Sequence, residues 1–320
     1  MTWSATWRLS LELRQLRYLV GVVDAGSVSR AAQSLHVAQP ALSAQIARLE
    51  EELGARLLIR SVRGVVPTEA GTAVLRQARL ILKQVDAIAE LAHEADADPT
   101  GSVSLGLPWT VRSVVGLPLL HQVRERLPQV RLEIIEGPSP ALAMQTAQGK
   151  LDLAVVFENT PDNSLVLKPL ATESLLLVGQ RGSLVGRHNL KLEELAGLPL
   201  LMLSRPNGVR EDIERQCAKR GIRLKIVAEI NAPSLLIDAV RGGLGYSVLP
   251  ACGIEQACRD GLLDAITLEG GSMQRTAHLG TSKLFALSRA AEHTAALLQE
   301  SVAHAIGDRR WQATSPNEAD

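Results

Sequence analysis

Apolar residues near the start of the chain recur at the spacing of short amphipathic helices. The first helix has one apolar face, formed by Leu13, Leu16, Val20 and Val23. Gly26 ends this helix, and Ser27 is suited to cap a second helix that runs to Leu35. A tight turn at residues 36–37 leads into a third helix. This order predicts a helix-turn-helix.

The third helix begins at Gln39, and Pro40 is tolerated there because the first turn has no use for its missing N–H group. Its inner face is formed by Leu42, Ile46, Leu49 and Leu53. The opposite face carries amides, a hydroxyl and a guanidinium, on Gln39, Ser43, Gln45 and Arg48, together with Ala44. Such groups read base edges in the major groove of DNA, so we expect a recognition helix.

A β-hairpin is predicted after the third helix, with strands at residues 57–60 and 62–66. Arg60 and Arg63 lie on or beside its turn, and we expect them, with Arg30, to contact phosphates or the minor groove. The alternative is that Arg60 and Arg63 are ordinary surface residues. The hairpin completes a winged helix-turn-helix.

A long helix follows, with Thr68 as its expected cap. Its apolar residues repeat with alternating steps of four and three, as in a heptad, at Val74, Ala78, Ile81, Val85 and Ile88. The pattern predicts a dimerisation seam between two copies of the chain, in a homodimer or homotetramer. A heptad this short could also pack on its own domain.

The pattern changes after an acidic, Pro- and Gly-containing linker at residues 96–101. Strand-like and helix-like segments then alternate, which predicts an α/β sheet. Strands are expected at 103–107, 130–135, 151–157, 174–178, 200–203, 224–230, 246–249 and 277–281, and helices at 117–126, 139–148, 208–220, 233–241 and 286–306.

Ligands of open α/β sheets bind beyond the carboxyl ends of the strands, where helix N-termini can meet an anion. The loops at that edge give the candidate effector-binding residues Trp109, Thr110, Ser139, Phe157, Ser204, Asn207 and Asn231. Hydroxyls beside helix starts favour a small anionic effector, and Arg112 and Arg205 could add positive charge. For each single residue, a helix cap or a loop filler is the alternative.

Composition narrows the class of protein. No apolar run reaches the roughly 18–20 residues of a membrane span, and the first ten residues lack the apolar core of a signal peptide, so we expect a cytoplasmic protein. The three cysteines and seven histidines show no metal-binding or catalytic spacing. We therefore expect no metal, no cofactor and no enzymatic activity.

The charge distribution agrees with DNA binding. The whole chain has a net charge of zero, but residues 11–83 carry ten Lys or Arg against six Asp or Glu. A basic first quarter suits contact with the DNA backbone, although an ordinary solvated surface could carry the same charge.

The segment LRQLRYLVGVVDAGSVSRAAQSLHVAQPALSAQIARLEEELGARLLIRSVRGVVPTEAG, at residues 13–71, resembles the LysR-type family of bacterial transcriptional regulators. The similarity continues through GSVSLGL, GKLDLAVVF and GLGYSVLP, from about residue 11 to residue 306. The wing and the residues that follow it look particularly like the nitrogen-assimilation-control branch. It implies a two-lobed effector domain like a periplasmic binding protein, whose cleft is lined at Thr110, Ser139 and Ser204. Double-stranded DNA, a small effector, a second copy of the chain and RNA polymerase are the implied partners.

We therefore predict an N-terminal all-α winged helix-turn-helix with a long linker helix, followed by a two-lobed α/β domain. The expected divisions are a loosely packed tail at 1–10, the DNA-binding domain at 11–68, the linker helix at 69–97, the effector domain at 98–306 and a flexible tail at 307–320. Lobe I would comprise 101–180 and 272–306, and lobe II 181–271.

Two other functions stay open at this stage. In a small-molecule receptor, the winged helix would serve only for assembly, and Ala44 favours this because the family often has Arg or Gln there. A metabolic enzyme with an appended helix-turn-helix is the third candidate.

Overall fold

The computed structural model describes residues 10–62, 64–91, 98–157, 164–268 and 273–315. The chain divides into two compact units, Met1–Ala97 and Asp98–Asp320. The predictions for the N-terminal residues 1–9, for Arg63 and for the first part of the linker lie outside the described residues.

The first unit contains the predicted winged helix-turn-helix. Its elements are α1 (Leu13–Ala25), α2 (Val28–Ser34), α3 (Gln39–Leu53), β1 (Leu58–Ser61), β2 (Gly64–Pro67) and α4 (Glu69–Leu91). Both predicted caps are present, since the hydroxyl of Ser27 accepts from the amide of Arg30 at 3.4 Å and that of Thr68 from the amide of Gly71 at 2.9 Å.

The buried face of α1 differs from the predicted one. Leu16, Leu19 and Val22 are fully buried, whereas Leu13 is 40% exposed. The buried side of α1 also includes the amide of Gln15. Because α1 is apolar around much of its circumference, its periodicity alone did not determine which stripe faces α3 and β2.

The wing is attached to the turn between α1 and α2. The amide of Val65 donates to the carbonyl oxygen of Gly26 at 3.0 Å. Gly64 has a φ of 121°, and a Cβ atom there would lie 2.6 Å from the same oxygen. Only glycine fits this approach, so the base of the hairpin is held against the helices.

The heptad of α4 is only partly available to a second copy of the chain. Ala78 is 1% exposed within its own chain, and Val74 packs on the core of the winged helix. Buried Arg79 donates to Asp24 of α1 at 2.5 Å and fixes this half of the helix. The predicted seam is therefore wrong at its first two positions, because packing on α1 needs the same spacing as a coiled coil. Ile81 and Ile88 are 39% and 64% exposed.

The second unit alternates strands and helices. It contains β3 (Gly101–Leu107), α5 (Trp109–Arg126), β4 (Val130–Glu136), α6 (Ser139–Ala147), β5 (Leu153–Phe157), β6 (Leu165–Gln180), β7 (Asn189–Leu190), a 3-10 helix (Leu192–Gly197), β8 (Pro199–Leu203), α7 (Gly208–Lys219), β9 (Lys225–Ile230), α8 (Pro233–Arg241), β10 (Ser247–Pro250), α9 (Ala251–Arg259), β11 (Leu263–Leu268), β12 (Gln274–Ser282), α10 (Arg289–Gly307) and β13 (Ala313–Thr314).

The predicted two-lobed architecture is confirmed, and β6 belongs to both lobes. Up to Ser174 this strand pairs with β12, in the sheet that also holds β3, β4 and β5. From Leu175 to Gln180 it pairs with β10 and β11 of the second lobe. The change of partners falls between residues 174 and 175, a few residues before the predicted boundary at about residue 180.

The C-terminal segment after α10 is an ordered part of the second unit. Trp311 is 1% exposed, and β13 pairs with β6 through Ala313 and Thr314. The prediction of a flexible tail from residue 307 is thus wrong as far as residue 315. Helix–strand periodicity could not reveal this segment because Trp311 is the one buried residue in residues 308–315, and a single buried residue makes no periodic pattern. Residues 316–320 lie outside the described residues.

Candidate DNA-binding face and effector cleft

The start of α3 presents the exposed surface that a recognition helix needs. Leu42, Ile46 and Leu49 are buried, as predicted, while Gln39 and Pro40 are exposed. The hydroxyl of Ser29 on α2 donates to the Oε1 atom of Gln39 at 3.2 Å. This contact orients the Gln39 amide so that its NH₂ group is the part left to meet an acceptor.

Two other predicted base-contacting residues flank the buried stripe of α3. Ser43 and Gln45 are half-buried, and the Oε1 atom of Gln45 is enclosed with no hydrogen-bond partner among the described residues. The expectation that both point fully outward is wrong, because positions next to a wide apolar face are drawn into it. Gln45 is a poorer candidate for base contact than Gln39.

The predicted phosphate-binding arginines have different environments. Arg30 donates to the carbonyl of Ala25 at 2.6 Å, which ties it to the end of α1. Arg48 pairs along α3 with Glu52 at 3.0 Å. The side chain of Arg60 is exposed on β1 and makes no hydrogen bond or ion pair with the part of the chain that the structure describes. Among the described residues of the wing, Arg60 is therefore an available cation.

A cleft in the second unit brings together five of the seven predicted effector-binding residues. Its cavity measures about 40 Å³. The predicted residues that line it are Trp109, Thr110, Ser139, Phe157 and Asn207, and the others that line it are Pro108, Gly137, Pro138, Pro140, Gly208, Val209, Glu211, Asp212 and Arg275. Ser204 and Asn231 do not line this cleft, so its geometry does not support the prediction for these two residues.

Three helices begin at the cleft, namely α5, α6 and α7. The first intrahelical bond of α5 comes from the amide of Arg112, so the three preceding amides are not used within the helix. The Oγ atom of Ser139 accepts from the amide of Phe157 at 2.9 Å, and Asn207 caps α7 by accepting from the amide of Arg210 at 3.2 Å. Convergent helix starts favour a negatively charged group in the cleft.

Arg275 is the buried cation of the cleft. Its Nε and Nη2 atoms donate to Oε1 of Glu173 at 2.9 and 2.6 Å, and Nη2 also donates to the hydroxyl of Thr110 at 3.2 Å. The guanidinium lies over the ring of Phe157, 3.6 Å from its centroid. No acceptor among the described residues binds Nη1, which is thus the nitrogen left for a ligand.

Trp109 forms a wall of the cleft and touches the second lobe. A Cβ atom built on Gly253, at the start of α9, would lie 2.6 Å from the end of the Trp109 ring. The ring of Trp109 therefore lies between the cleft and α9.

Acidic side chains of α7 face the same cavity. Burial raises the pKa of Asp212, and the ion pair with Arg215 lowers it by less. The two arginines that we expected to add positive charge do not line the cleft. Arg112 pairs with Glu136, and Arg205 pairs with Glu214. The cleft therefore combines anion-binding helix starts with carboxylates, rather than carrying positive charge alone.

Cysteines and possible metal ligands are the remaining candidate groups among the described residues. These residues hold no cluster of His, Cys, Asp or Glu suited to a metal ion. Cys217 and Cys252 are buried, and burial raises the pKa of the Cys252 and Cys258 thiols. None of the described helices combines the length and apolarity that a membrane span requires.

Two family descriptions match the two units. "Bacterial regulatory helix-turn-helix protein, lysR family" matches residues 13–72, and "LysR substrate binding domain" matches residues 96–303. The chain belongs to the LysR family of bacterial transcriptional regulators. The predicted function, a DNA-binding regulator modulated by an effector and not an enzyme, agrees with this membership.

Individual relatives place this LysR-type regulator more finely. It is 38% identical to the nitrogen assimilation regulatory protein nac of Klebsiella aerogenes over 249 residues, which cover 78% of this chain and 81% of that protein. The protein of the same name from Escherichia coli is 32% identical over 309 residues, covering 95% and 100%. A full-length OxyR variant from Pseudomonas aeruginosa shares the fold, with a TM-score of 0.75, 24% identity and coverage of 91% and 94%. The chain is thus nac-like within the LysR family.

Sequence reasoning missed Arg275 and Glu173, two buried charges beside the LysR cleft. The predicted strands began at residues 277 and 174, just after each of them. The alternation of the sequence could have identified Arg275, because residues 275, 277 and 279 all point inward along β12. A charged residue on the inner face of a strand needs an oppositely charged partner, which is expected on the neighbouring strand.

The raised pKa of Asp212 predicts a pH-dependent stability of this LysR-type regulator. Folded Asp212 holds its proton more tightly than the unfolded chain does, so its contribution to stability is lost as pH rises above about 4. Asp212→Asn should therefore raise the Tm relative to wild type at pH 7, and the difference should vanish near pH 4. Asp238→Asn, in the exposed pair with Arg241, is the control. An equal difference at both pH values would contradict the prediction.

Proposed function

We propose that this LysR-type regulator reads its operator with the start of α3 and with Arg60 of the wing, and that its cleft binds a small effector through an anionic group. The observation that carries the second part is the buried Arg275, placed beside three helix starts. Because the relatives nac are named as nitrogen assimilation regulators, genes of nitrogen metabolism are the first targets to examine.

The DNA-binding proposal rests on what α3 exposes. Gln39 is oriented by Ser29 and offers a donor at the first turn, where recognition helices meet base edges. The pairing of Arg48 with Glu52 along the helix is worth only about 0.3–0.5 kcal/mol, so a phosphate can replace Glu52. Arg63 keeps its proposed role in the wing on the sequence argument alone.

The proposal of an anionic effector rests on the hydrogen-bond donors that surround Arg275 and the start of α5. Nη1 of Arg275 and the unused amides of α5 are all donors. Glu211 and Asp212 at the start of α7 set a limit on charge, since a ligand with several negative charges would be repelled there. A compound with a single carboxylate fits this balance best.

The walls of the cleft come from both lobes, with Trp109 and Phe157 on one side and Asn207 and Asp212 on the other. An effector that binds one arrangement of these walls more tightly than another shifts the protein toward that arrangement, and this difference in affinity is what allows an effector to change activity. Trp109 and Phe157 would limit the size of the ligand.

Self-association through α4 is the third part of the proposal. Ile81 and Ile88 are exposed apolar residues on one side of the helix, with half-buried Val85 between them. Two copies would place two recognition helices in successive major grooves, and a tetramer would bind two such pairs of sites. We also propose that the protein resides in the cytoplasm, where the DNA lies, and that it contacts RNA polymerase.

Base reading by Gln39 is tested by comparing operator and random DNA. Gln39→Ala should weaken operator binding by about 1–3 kcal/mol and leave random DNA nearly unchanged. Arg60→Ala should weaken both and reduce the salt slope of log K by about one unit, because it removes one phosphate contact. Fluorescence anisotropy at several salt concentrations measures both effects, with Arg56→Ala as a further surface arginine for comparison. Equal losses on the two DNAs for Gln39→Ala would refute base reading, and absence of any specific binding would favour the assembly-only winged helix.

The α4 interface is tested by charge. Ile81→Asp should give monomers in sedimentation and abolish operator binding, because two identical buried carboxylates would face each other. Gln77→Asp, on an exposed position of the same helix, should leave the assembly intact. A dimeric Ile81→Asp variant would show that Ile81 lies outside the interface.

The effector site is tested with metabolites and a shape-conserving variant. Small monoanions should raise the Tm of the full chain in a thermal-shift screen, and Thr110→Val should weaken that response by removing the hydroxyl that receives Arg275. Operator binding without effector should stay normal, and Thr267→Val on β11 is the matched control. Stabilisation by apolar compounds alone, or a wild-type response of Thr110→Val, would reject the assignment.

A further inference from the structure

The C-terminal segment meets the effector cleft through one carboxylate. Nε1 of Trp311 donates to Oε2 of Glu173 at 2.9 Å, and Oε1 of the same carboxylate receives both hydrogen bonds from Arg275. Glu173 is 0% exposed at its side chain and Arg275 7%. The orientation of Arg275 in the cleft therefore depends on a carboxylate that Trp311 holds from the other side.

The backbone around Glu173 is held by the same segment. Ala313 of β13 pairs with Glu173 and Thr314 with Thr172, while Arg275 of β12 pairs with Glu173 on the opposite edge of β6. This is the part of β6 that immediately precedes its change of partners between the lobes. The C-terminal strand is thus added where the chain crosses from one lobe to the other.

A second contact ties the segment to the helix that begins at the cleft. Pro118 lies inside α5 and cannot donate to the carbonyl of Val114, four residues earlier. Nη1 of Arg310 donates to that carbonyl at 3.4 Å. The segment therefore satisfies an acceptor that the helix leaves open, and it contacts α5 as well as β6.

We propose that Trp311 and Glu173 are positioning residues of the effector site, and that residues 308–315 act as a clamp which sets the orientation of Arg275 toward a bound anion. The proposal rests on the effector role proposed for the cleft. Its tests use no effector, so failure of the clamp and failure of the effector site can be told apart.

Replacement of Glu173 by its neutral isostere has a defined consequence. Oε1 faces two donors of Arg275, and Oε2 faces the indole N–H and the amide of Cys252, at 3.4 Å. A glutamine has one acceptor oxygen and one NH₂ group, so in either orientation it presents donors to donors. Glu173→Gln must therefore release either Arg275 or Trp311.

The experiment uses the full chain labelled with ¹⁵N-tryptophan, whose indole signals report on Trp109 in the cleft and Trp311 in the clamp. Trp311→Phe keeps a ring in the core but removes the N–H donor, and it should shift the Trp109 signal. In the reverse direction, Arg275→Lys keeps the charge but loses the paired donors, and it should shift the Trp311 signal. Glu173→Gln should give one of two results: a Trp311 indole exchanging with solvent about tenfold faster, or a Trp109 signal shifted as in Trp311→Phe.

Matched controls separate positioning from a general loss of packing. Deletion of residues 316–320 should leave the Trp109 signal in place, and Arg205→Lys, in an exposed ion pair, should leave both signals in place. Circular dichroism confirms that Trp311→Phe and Arg275→Lys are folded. An unshifted Trp109 in folded Trp311→Phe, or an unshifted Trp311 in folded Arg275→Lys, would overturn the proposal. If the single variants do not fold, the chain without residues 308–320 is compared with the chain without residues 316–320. A Trp109 signal at the same position in both would overturn the proposal.

Discussion

The arrangement of the effector unit depends on the buried carboxylate of Glu173. An ionised group without solvent is tolerated only where donors surround it, and Glu173 has four, from Arg275, Trp311 and the amide of Cys252. These donors come from β12, from the C-terminal segment and from the start of α9. The register of β6 against β12 and the place of the last strand are thus linked, since a shift of either would leave a charge without partners.

Sequence periodicity predicted the winged helix well because its signals are local. Ser27 and Thr68 cap helices within three residues of themselves, and the turn before Gln39 lies between two short apolar patterns. Where one pattern fits two structures, sequence could not choose between them. The apolar spacing of Val74 and Ala78 suits a second copy of α4 as well as α1. The burial of Ala78 and the ion pair of Arg79 with Asp24 show that α4 packs on α1 there.

The cleft was predicted less completely because its residues come from distant parts of the chain. Strand-to-helix loops pointed to Thr110 and Ser139, whose backbone positions follow from the topology alone. Arg275 follows no such rule. Its place depends on pairing with Glu173, about a hundred residues earlier, and no local pattern encodes that contact. Trp311 was assigned to a tail for the same reason.

The strength of the proposed anion binding is limited by the ion pair that positions Arg275. Arg275 already has Glu173 as its counter-ion, so an anion gains less from its charge than it would from an unpaired arginine, and the carboxylates of α7 reduce that gain further. Selectivity must then come from hydrogen-bond geometry at Nη1 and at the helix starts, which is directional, rather than from net charge, which is not. A site of this kind discriminates by shape and donor placement, and its coupling to DNA binding would fall in the ordinary range of about 1–3 kcal/mol. Any element that sets the guanidinium orientation therefore affects specificity more than it affects affinity.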